Sequence, residues 1–184
     1  MNSEFLNPTS LETFHLQDSS VEVPKAIISF KEWHGAKPNS FGGKPFIDFD
    51  GVPIFAELAI ARTFQQLGYT AYWVETYARG NKPPMFLLDW QNRPYKEQTN
   101  CDIDEPWILE KLTVIAQQNH NTYDGCWDVL AWKGEELLFI ESKRNKKDSV
   151  RSSQNNWLQA ALQTGLKPKN FLIVQWNFLI PPIS

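Results

Sequence analysis

The sequence is poor in the residues that bind transition metals. It contains two cysteines and three histidines, with no CxxC pair and no histidine spaced to complete a zinc ligand set. A disulfide framework or a zinc cluster is therefore disfavoured, and Cys101 and Cys126 are expected to be reduced thiols. Nuclease or esterase mechanisms based on histidine lack support for the same reason.

Long apolar runs and an excess of basic residues are also missing. No run of about 18 apolar residues could cross a bilayer, and the N-terminal stretch lacks the basic start and apolar centre of a secretion signal. We therefore expect a cytoplasmic protein with no membrane partner. The formal net charge of −3 excludes a globally cationic coat for nucleic acid, although a local basic patch is still allowed.

The hydrophobic content is sufficient for one ordinary domain, since 42% of the 184 residues are hydrophobic and 14% are aromatic. Residues 1–20 are polar and irregular and are predicted to form a flexible N-terminal segment, with 21–184 as a single domain. Helices are predicted at 53–67, 105–120 and 149–166, a hairpin within 127–147, and strands at 26–30, 70–78 and 171–180. This order predicts an α/β fold with helices covering a central sheet.

Two acids in the predicted hairpin, Asp128 and Glu141, are expected to share one face of the sheet. A two-residue loop at Lys133-Gly134 places them diagonally, and a four-residue loop from Lys133 to Glu136 places them directly opposite. Both registers bring their β-carbons within roughly 5 to 7 Å, where like charges repel unless something positive lies between them. Two such carboxylates form half of a site for a hard cation such as Mg²⁺.

Three further polar side chains are expected, from the spacing of their elements, to lie on the inward-facing side near the two acids. Glu57 completes the apolar stripe of the first helix, Gln154 interrupts that of the third, and Lys143 shares the strand parity of Glu141. Each has a plainer explanation, because Glu57 and Gln154 can lie at the solvent edge of their stripes and Lys143 can simply compensate the acids. Next to a metal, Lys143 can instead orient an attacking water and stabilise charge on a phosphoryl oxygen.

The spacing of these residues resembles the D-x(n)-E-x-K core of the PD-(D/E)XK nuclease superfamily. Asp128 is followed after twelve intervening residues by Glu141-Ser142-Lys143. Gly125 and the Q-x-x-W-L sequence at 154–158 are similar to the virus-type replication-repair nuclease (VRR-NUC) branch, although Trp127 replaces a proline often found there. The resemblance implies a restriction-endonuclease-like core, in which helices flank a mixed central β-sheet.

The resemblance also implies a metal-dependent nuclease that hydrolyses phosphodiester bonds of nucleic acid, DNA being the expected substrate and Mg²⁺ or Mn²⁺ the cofactor. Asp128 and Glu141 would bind the metal together with the main-chain carbonyl of Ser142. Glu57 would act through metal-bound water. The catalytic residues implied are Glu57, Asp128, Glu141, Lys143 and Gln154.

Within that set, Lys143 would position or activate the attacking water, and Gln154 would complete the site. The alternative function is a non-catalytic module that binds nucleic acid or recruits a partner on the same scaffold. A protein partner or a homodimer is compatible with either function. DNA or RNA as substrate, and internal or terminal cutting, stay open at this point.

A basic run follows the second strand of the hairpin. Five cations and one acid lie between positions 143 and 151, and such a run is by itself an ordinary solvated loop. Beside a metal site it becomes a phosphate clamp, helped by main-chain amides near Ser149 and Val150. Other cations could extend the clamp, namely Lys25, Lys31, Lys37, Lys44 and the loop that carries Arg79 and Lys82. Trp33 and Phe41 could stack on unpaired bases, although core packing is the commoner role of such rings. The predicted nucleic-acid-binding residues are Arg144, Lys146, Lys147 and Arg151.

Overall fold

The structure is a computed structural model that describes residues 7–39, 41–148 and 150–180. Within these ranges the strands are β1 (Ser10–His15), β2 (Ser20–Phe30), β3 (Ile47–Phe49), β4 (Val52–Ile54), β5 (Thr70–Glu75), β6 (Met85–Leu87), β7 (Val129–Lys133), β8 (Glu136–Arg144) and β9 (Phe171–Phe178). The helices are α1 (Ala56–Gln66), α2 (Pro106–Gln118) and α3 (Ser152–Gln163). No helix in the described ranges has the length and apolar content needed to cross a bilayer.

Seven strands form one mixed sheet in the order β1-β2-β9-β8-β7-β5-β6, and β3 pairs separately with β4. β7 is antiparallel to both of its neighbours, whereas β9 runs parallel to β8 and β2. The parallel pair β8 and β9 requires a crossover connection, which α3 provides. The predicted α/β class with a mixed central sheet is therefore observed. One edge of this sheet brings together the ends of β5 and β8 and the start of β7.

Helices cover both faces of the sheet. The core under α1 includes Ile140 of β8, whereas the core under α2 and α3 includes Phe139 of the same strand. Successive side chains of a strand point to opposite faces, so Glu141 and Lys143 share the face of Phe139. Both residues are therefore directed toward the side that carries α3.

The hairpin adopts the register that opposes its two acids directly. Val129 pairs with Ile140, and extending this register by one residue sets Asp128 against Glu141. Lys133 also pairs with Glu136, so the loop contains only residues 134 and 135. It therefore has the register expected for the four-residue loop and the length expected for the alternative two-residue loop, which is shifted by one residue from Lys133-Gly134. Gly134 has a φ of 59°, which suits the positive φ that a tight hairpin loop requires.

Several predicted boundaries are wrong. Pro53 was expected in the first turn of a helix but lies in β4, because β4 pairs with β3 and α1 begins only at Ala56. Residues 10–15 were expected to be irregular but form β1, which pairs along its whole length with β2. The strand predicted at 70–78 ends at 75, and the last strand ends at 178 rather than 180.

The third helix was predicted to start at 149 but starts at Ser152. The amide of Ser149, which was proposed to assist an anion, lies outside the described residues, as do residues 1–6 of the predicted flexible segment. Trp127, which stands where the related branch often has proline, is fully buried. Its ring stacks on Phe14 of β1 and meets Phe171 of β9 edge-on. The bulky residue before Asp128 is therefore a core residue.

Candidate active site

A cleft of about 880 Å³ opens at the sheet edge where β5 and β8 end and β7 begins. Its wall comes from the loop before β3, the first turn of α1, the ends of these three strands and the start of α3. The cleft is lined by all five residues that the sequence suggested for catalysis, namely Glu57, Asp128, Glu141, Lys143 and Gln154. Elements that are distant in sequence thus bring the predicted residues together.

Asp128 and Glu141 are neighbouring carboxyl groups at the floor of the cleft. Oδ2 of Asp128 accepts a hydrogen bond of 3.0 Å from the main-chain amide of Ser142, which fixes the aspartate across β8. Asp128 keeps some exposure to the cleft, whereas Glu141 is only 3% exposed. Removal from bulk water raises the pKa of both groups; the charge of Glu57 raises that of Asp128 further, and the charge of Asp128 raises that of Glu141.

One oxygen of this pair lacks a partner. Oε2 of Glu141 is buried, and within the described residues it has no hydrogen-bond partner. A buried polar atom without a partner is costly, and two adjacent carboxylates cannot both stay ionised cheaply. A proton shared with Asp128, or a cation bound between the two groups, would relieve both costs.

Lys143 and Gln154 surround the other oxygen of Glu141. Nζ of Lys143 lies 2.9 Å from Oε1 of Glu141 and donates a hydrogen bond of 2.9 Å to Oε1 of Gln154. The amide nitrogen of Gln154 in turn donates to Oε1 of Glu141. Oε1 of Gln154 also accepts a 2.9 Å hydrogen bond from the main-chain amide of Arg151 at the start of α3, a bond that satisfies an otherwise unpaired helix-end donor. Gln154 therefore links the start of α3 to Glu141 on β8 through hydrogen bonds.

Glu57 is paired with a lysine from the loop before β3. Nζ of Lys44 lies 2.6 Å from Oε1 of Glu57 and 5.0 Å from the centroid of the Trp73 ring. Burial lowers the pKa of Lys44, but the charges of Glu57 and Asp128 outweigh burial and raise the pKa above its usual value. Lys44 is therefore a counter-ion within the acid cluster.

A further acid, Glu75, was missed by sequence reasoning. It is the last residue of β5, it lines the cleft, and its Oε1 accepts a 2.7 Å hydrogen bond from the main-chain amide of Tyr77. Burial raises its pKa, while that hydrogen bond and the charge of Lys44 oppose the rise. The available signal was alternation, since Ala71 and Trp73 are buried and Glu75 is the next residue on their side.

The protein side chains of the cleft supply only part of the ligand set of a hard cation, and water would have to supply the rest. In the part of the chain that the structure describes, no three histidine, cysteine, aspartate or glutamate side chains are grouped as a metal site. Asp128 and Glu141 supply two carboxylates and the unpartnered Oε2 of Glu141. Mg²⁺ commonly binds one or two carboxylates and fills its other positions with water and substrate oxygens, so this donor set suits it.

The predicted basic residues divide into two groups. Lys147 and Arg151 line the cleft together with the acids. Arg144 does not, because it has the opposite strand parity to Lys143, and its guanidinium lies 4.7 Å from the ring centroid of Phe178. Lys146 lies in the exposed turn after β8 with a φ of 57° and is outside the cleft wall.

The turn before Asp128 passes very close to α3. Gly125 has a φ of +81°, and a β-carbon at this position would lie 2.0 Å from the main-chain oxygen of Ser153. Only glycine fits both the backbone conformation and the space. Cys126, the next residue, also lines the cleft. Burial, followed by the charges of Glu141 and Asp128, raises the pKa of its thiol, so the thiolate that a nucleophilic cysteine needs is disfavoured.

Charged side chains of both signs line the cleft. Six acids line it, namely Glu57, Glu75, Asp124, Asp128, Glu141 and Asp148, together with the cations Lys44, Lys143, Lys147 and Arg151. Comparison of the chain with protein-family models, with curated proteins and with solved structures gave no match.

Proposed function

We propose that this protein is a divalent-metal-dependent nuclease that hydrolyses phosphodiester bonds of nucleic acid, with DNA as the expected substrate and a restriction-endonuclease-like core as its scaffold. The observation that carries the proposal is the position of Asp128 opposite Glu141 across the hairpin, together with Oε2 of Glu141, which is buried without a partner among the described residues. Lys143 lies beside this pair, 2.9 Å from the other oxygen of Glu141. Two carboxylates that can bind a cation, next to an ammonium group, are suited to catalyse the attack of water on a phosphodiester.

Mg²⁺ or Mn²⁺ is the cofactor in this proposal. Asp128 and Glu141 would hold it, with the main-chain carbonyl of Ser142 as a further ligand and Glu57 acting through a bridging water. When bound, such an ion polarises a phosphoryl oxygen and makes a water molecule more acidic. The carboxylates on the cleft wall match the preference of these ions for oxygen ligands.

The protein's own residues supply positioning and charge. Lys143 would orient the attacking water and stabilise the negative charge that develops on the phosphoryl oxygen. Its ammonium is fixed from two sides, by Glu141 and by Gln154, so little reorganisation is needed when that charge appears. Lys147 and Arg151, on the wall of the same cleft, would bind phosphates of the substrate strand.

A second candidate function is a non-catalytic module that binds nucleic acid or recruits a partner. The observation in its favour is that Lys44 and Lys143 are already paired with Glu57 and Glu141. Such ion networks also occur for purely structural reasons. A module of this kind would bind nucleic acid through Lys147 and Arg151 without cutting it.

Cleavage assays separate the two candidates. We expect the wild type to cut at least one of single-stranded, duplex, branched or circular DNA or RNA with Mg²⁺ or Mn²⁺, and not with a chelator. Glu141→Ala and Lys143→Ala should each lower the rate by about 100-fold or more, the usual cost of removing a group that stabilises the transition state. Lys169→Ala is the matched control, because Lys169 is exposed in the short turn before β9, at the opposite end of the sheet.

Three outcomes are decisive. Metal-dependent cutting that is lost in both cleft variants and kept in the control supports the nuclease. Cutting that persists unchanged in Glu141→Ala and Lys143→Ala means that the site is wrong. Binding of nucleic acid by a wild-type protein that does not cut with either metal favours the non-catalytic module.

A further inference from the structure

Tyr77 presents an exposed aromatic ring at the rim of the cleft. The residue is 64% exposed and forms part of the cleft wall. Within the described ranges it is the one aromatic residue among the exposed large apolar side chains. An exposed ring beside a charged cleft is suited to contact a ligand.

The backbone of Tyr77 is fixed on both sides. Its amide donates a 2.7 Å hydrogen bond to Oε1 of the cleft acid Glu75, and its carbonyl accepts one of 2.8 Å from the hydroxyl of Tyr95. The ring meets Phe41 edge-on with centroids 5.6 Å apart, and Phe41 stacks on Tyr95 at 4.8 Å. An ordered aromatic group thus supports the ring while most of Tyr77 faces solvent.

Two cations of the cleft wall, Lys147 and Arg151, approach from the other side of Asp128. β5 and β8 flank β7 in the sheet, so Tyr77, just after β5, and Lys147, just after β8, reach the cleft from opposite sides of the residue that precedes β7. Arg151, at the start of α3, joins Lys147 on the cleft wall. A strand lying across the acids would therefore place phosphates near Lys147 and Arg151 and a base near Tyr77.

We propose that Tyr77 stacks on an unpaired base of the substrate and selects single-stranded nucleic acid over continuous duplex; this inference rests on the proposed nuclease function. In a duplex, neighbouring base pairs cover both faces of each base, so a ring on a cleft rim can stack only on a base that has left the stack. Stacking on an aromatic side chain tolerates any base, because every base has a π-face. The selection is therefore for strandedness and not for sequence.

Binding can be measured separately from cutting. Fluorescence anisotropy is recorded, in Ca²⁺ and again in a chelator, with a labelled single-stranded DNA, the same DNA paired to its complement, and single-stranded RNA of the same sequence. We expect Tyr77→Ala to weaken single-strand binding by roughly 5- to 100-fold, the range for loss of one base–aromatic stack. Tyr77→Phe keeps the ring and should keep the affinity. Leu109→Ala is the matched control, since Leu109 is an exposed apolar residue of α2 outside the cleft wall.

An abasic strand distinguishes stacking from a structural role. If Tyr77 stacks on a base, the loss caused by Tyr77→Ala should disappear on a strand in which sugar and phosphate remain but the central bases are removed. An equal loss on the abasic strand and on duplex would show that Tyr77 only supports the fold, and would overturn the inference. The DNA and RNA arms show which sugar the stacked strand carries.

Binding and cutting together distinguish an error about Tyr77 from an error about the nuclease activity. If Tyr77→Ala binds single strands as well as the wild type does, while metal-dependent cutting still depends on Glu141, the inference is wrong and the nuclease stands. If the wild type neither binds nor cuts any of these nucleic acids, both are wrong. Selective loss of single-strand binding in Tyr77→Ala, with Tyr77→Phe intact, supports the inference.

Discussion

Lys44 and Glu57 form an ion pair inside the cleft, with Nζ of Lys44 lying 2.6 Å from Oε1 of Glu57. The same ammonium is close enough to Asp128 and Glu75 for their charges to raise its pKa. A protein cation thus neutralises part of the acid cluster. A divalent ion that enters the cleft competes with this cation, because both are stabilised by the same carboxylates.

Lys44→Ala should make the protein less stable without metal and more responsive to it. Loss of the ammonium leaves buried acids without compensation, and we expect a cost of roughly 1 to 3 kcal/mol, between the values for exposed and for buried pairs. Mg²⁺ should then raise the melting temperature of Lys44→Ala more than that of the wild type, since tighter binding of a ligand to the folded state stabilises it more. Lys31→Ala removes an equally short pair, 2.6 Å from Asp48, whose lysine is 70% exposed, and should change neither measurement. An equal response to Mg²⁺ in all three proteins would contradict the competition.

Glu141→Gln should remove part of the pH dependence of stability. The pKa of Glu141 is raised in the folded protein, mainly by burial, so the folded state binds a proton on this group more tightly than the unfolded state, which releases it at about pH 4. Stability from this group is complete below that pH and is lost as the pH rises toward the folded pKa. Without metal, the free energy of unfolding of the wild type should therefore fall relative to Glu141→Gln as the pH rises above about 4.

Urea unfolding in a chelator measures this difference. At the higher pH, added Mg²⁺ should make the wild type more stable than Glu141→Gln, because a cation can replace the proton between the two carboxyls only in the wild type. A constant difference between the two proteins across the pH range would show that Glu141 ionises normally in the fold. Glu135→Gln, in the exposed hairpin loop, is the control for loss of one carboxylate.

Gly125→Ala should disrupt the cleft as well as the fold. The added methyl group would lie 2.0 Å from the main-chain oxygen of Ser153, and the residue would keep a φ of +81°, so α3 or the turn must move. We expect a loss of stability well above the roughly 1 to 2 kcal/mol that a left-handed conformation costs by itself. Gly134→Ala supplies that reference, because Gly134 has a φ of +59° with nothing within 4 Å of an added β-carbon. Similar unfolding free energies for the two variants would mean that the close approach to α3 carries no cost.

The two groups of basic residues should behave differently toward nucleic acid. Lys147→Ala and Arg151→Ala should each weaken binding and reduce the salt dependence of the binding constant, by about 0.7 to 0.9 in the log–log slope for each phosphate that is no longer neutralised. Arg144→Ala should leave that slope unchanged but lower stability by about 1 kcal/mol, since its guanidinium packs over Phe178. Anisotropy titrations at several salt concentrations, with urea unfolding of the same samples, check both. A reduced slope in Arg144→Ala would show that this residue binds phosphate after all.

The positions of the two acids on the hairpin were predictable because strand alternation determines the face of the sheet on which each side chain lies. Either loop length considered for the hairpin puts Asp128 and Glu141 on one face, so an error in the loop does not affect the conclusion. Lys143 follows by the same parity, and Gln154 by the period of its helix. These residues lie on regular elements, where the direction of a side chain follows from sequence spacing.

Residues on irregular segments were harder to place. Lys44 lies in a loop without a period, so nothing in the sequence indicates that it reaches Glu57. Pro53 matches a common helix start, but pairing of β4 with β3 overrides that local preference. The pattern that predicts a strand at 70–78 continues past Glu75, so it does not show the change from core to cleft at the end of β5. Tertiary contacts decide each of these positions.

The position of β8 inside the sheet has a consequence for dynamics. β8 is hydrogen-bonded to β7 on one side and to β9 on the other, so exposing its amides to solvent requires opening the centre of the seven-stranded sheet. Local opening at such a strand approaches the cost of global unfolding. Amide hydrogens at 139–143 should therefore exchange far more slowly than those of the loop that carries Tyr77. A ligand that enters the cleft then meets a floor that is already rigid, and loses little affinity to ordering it.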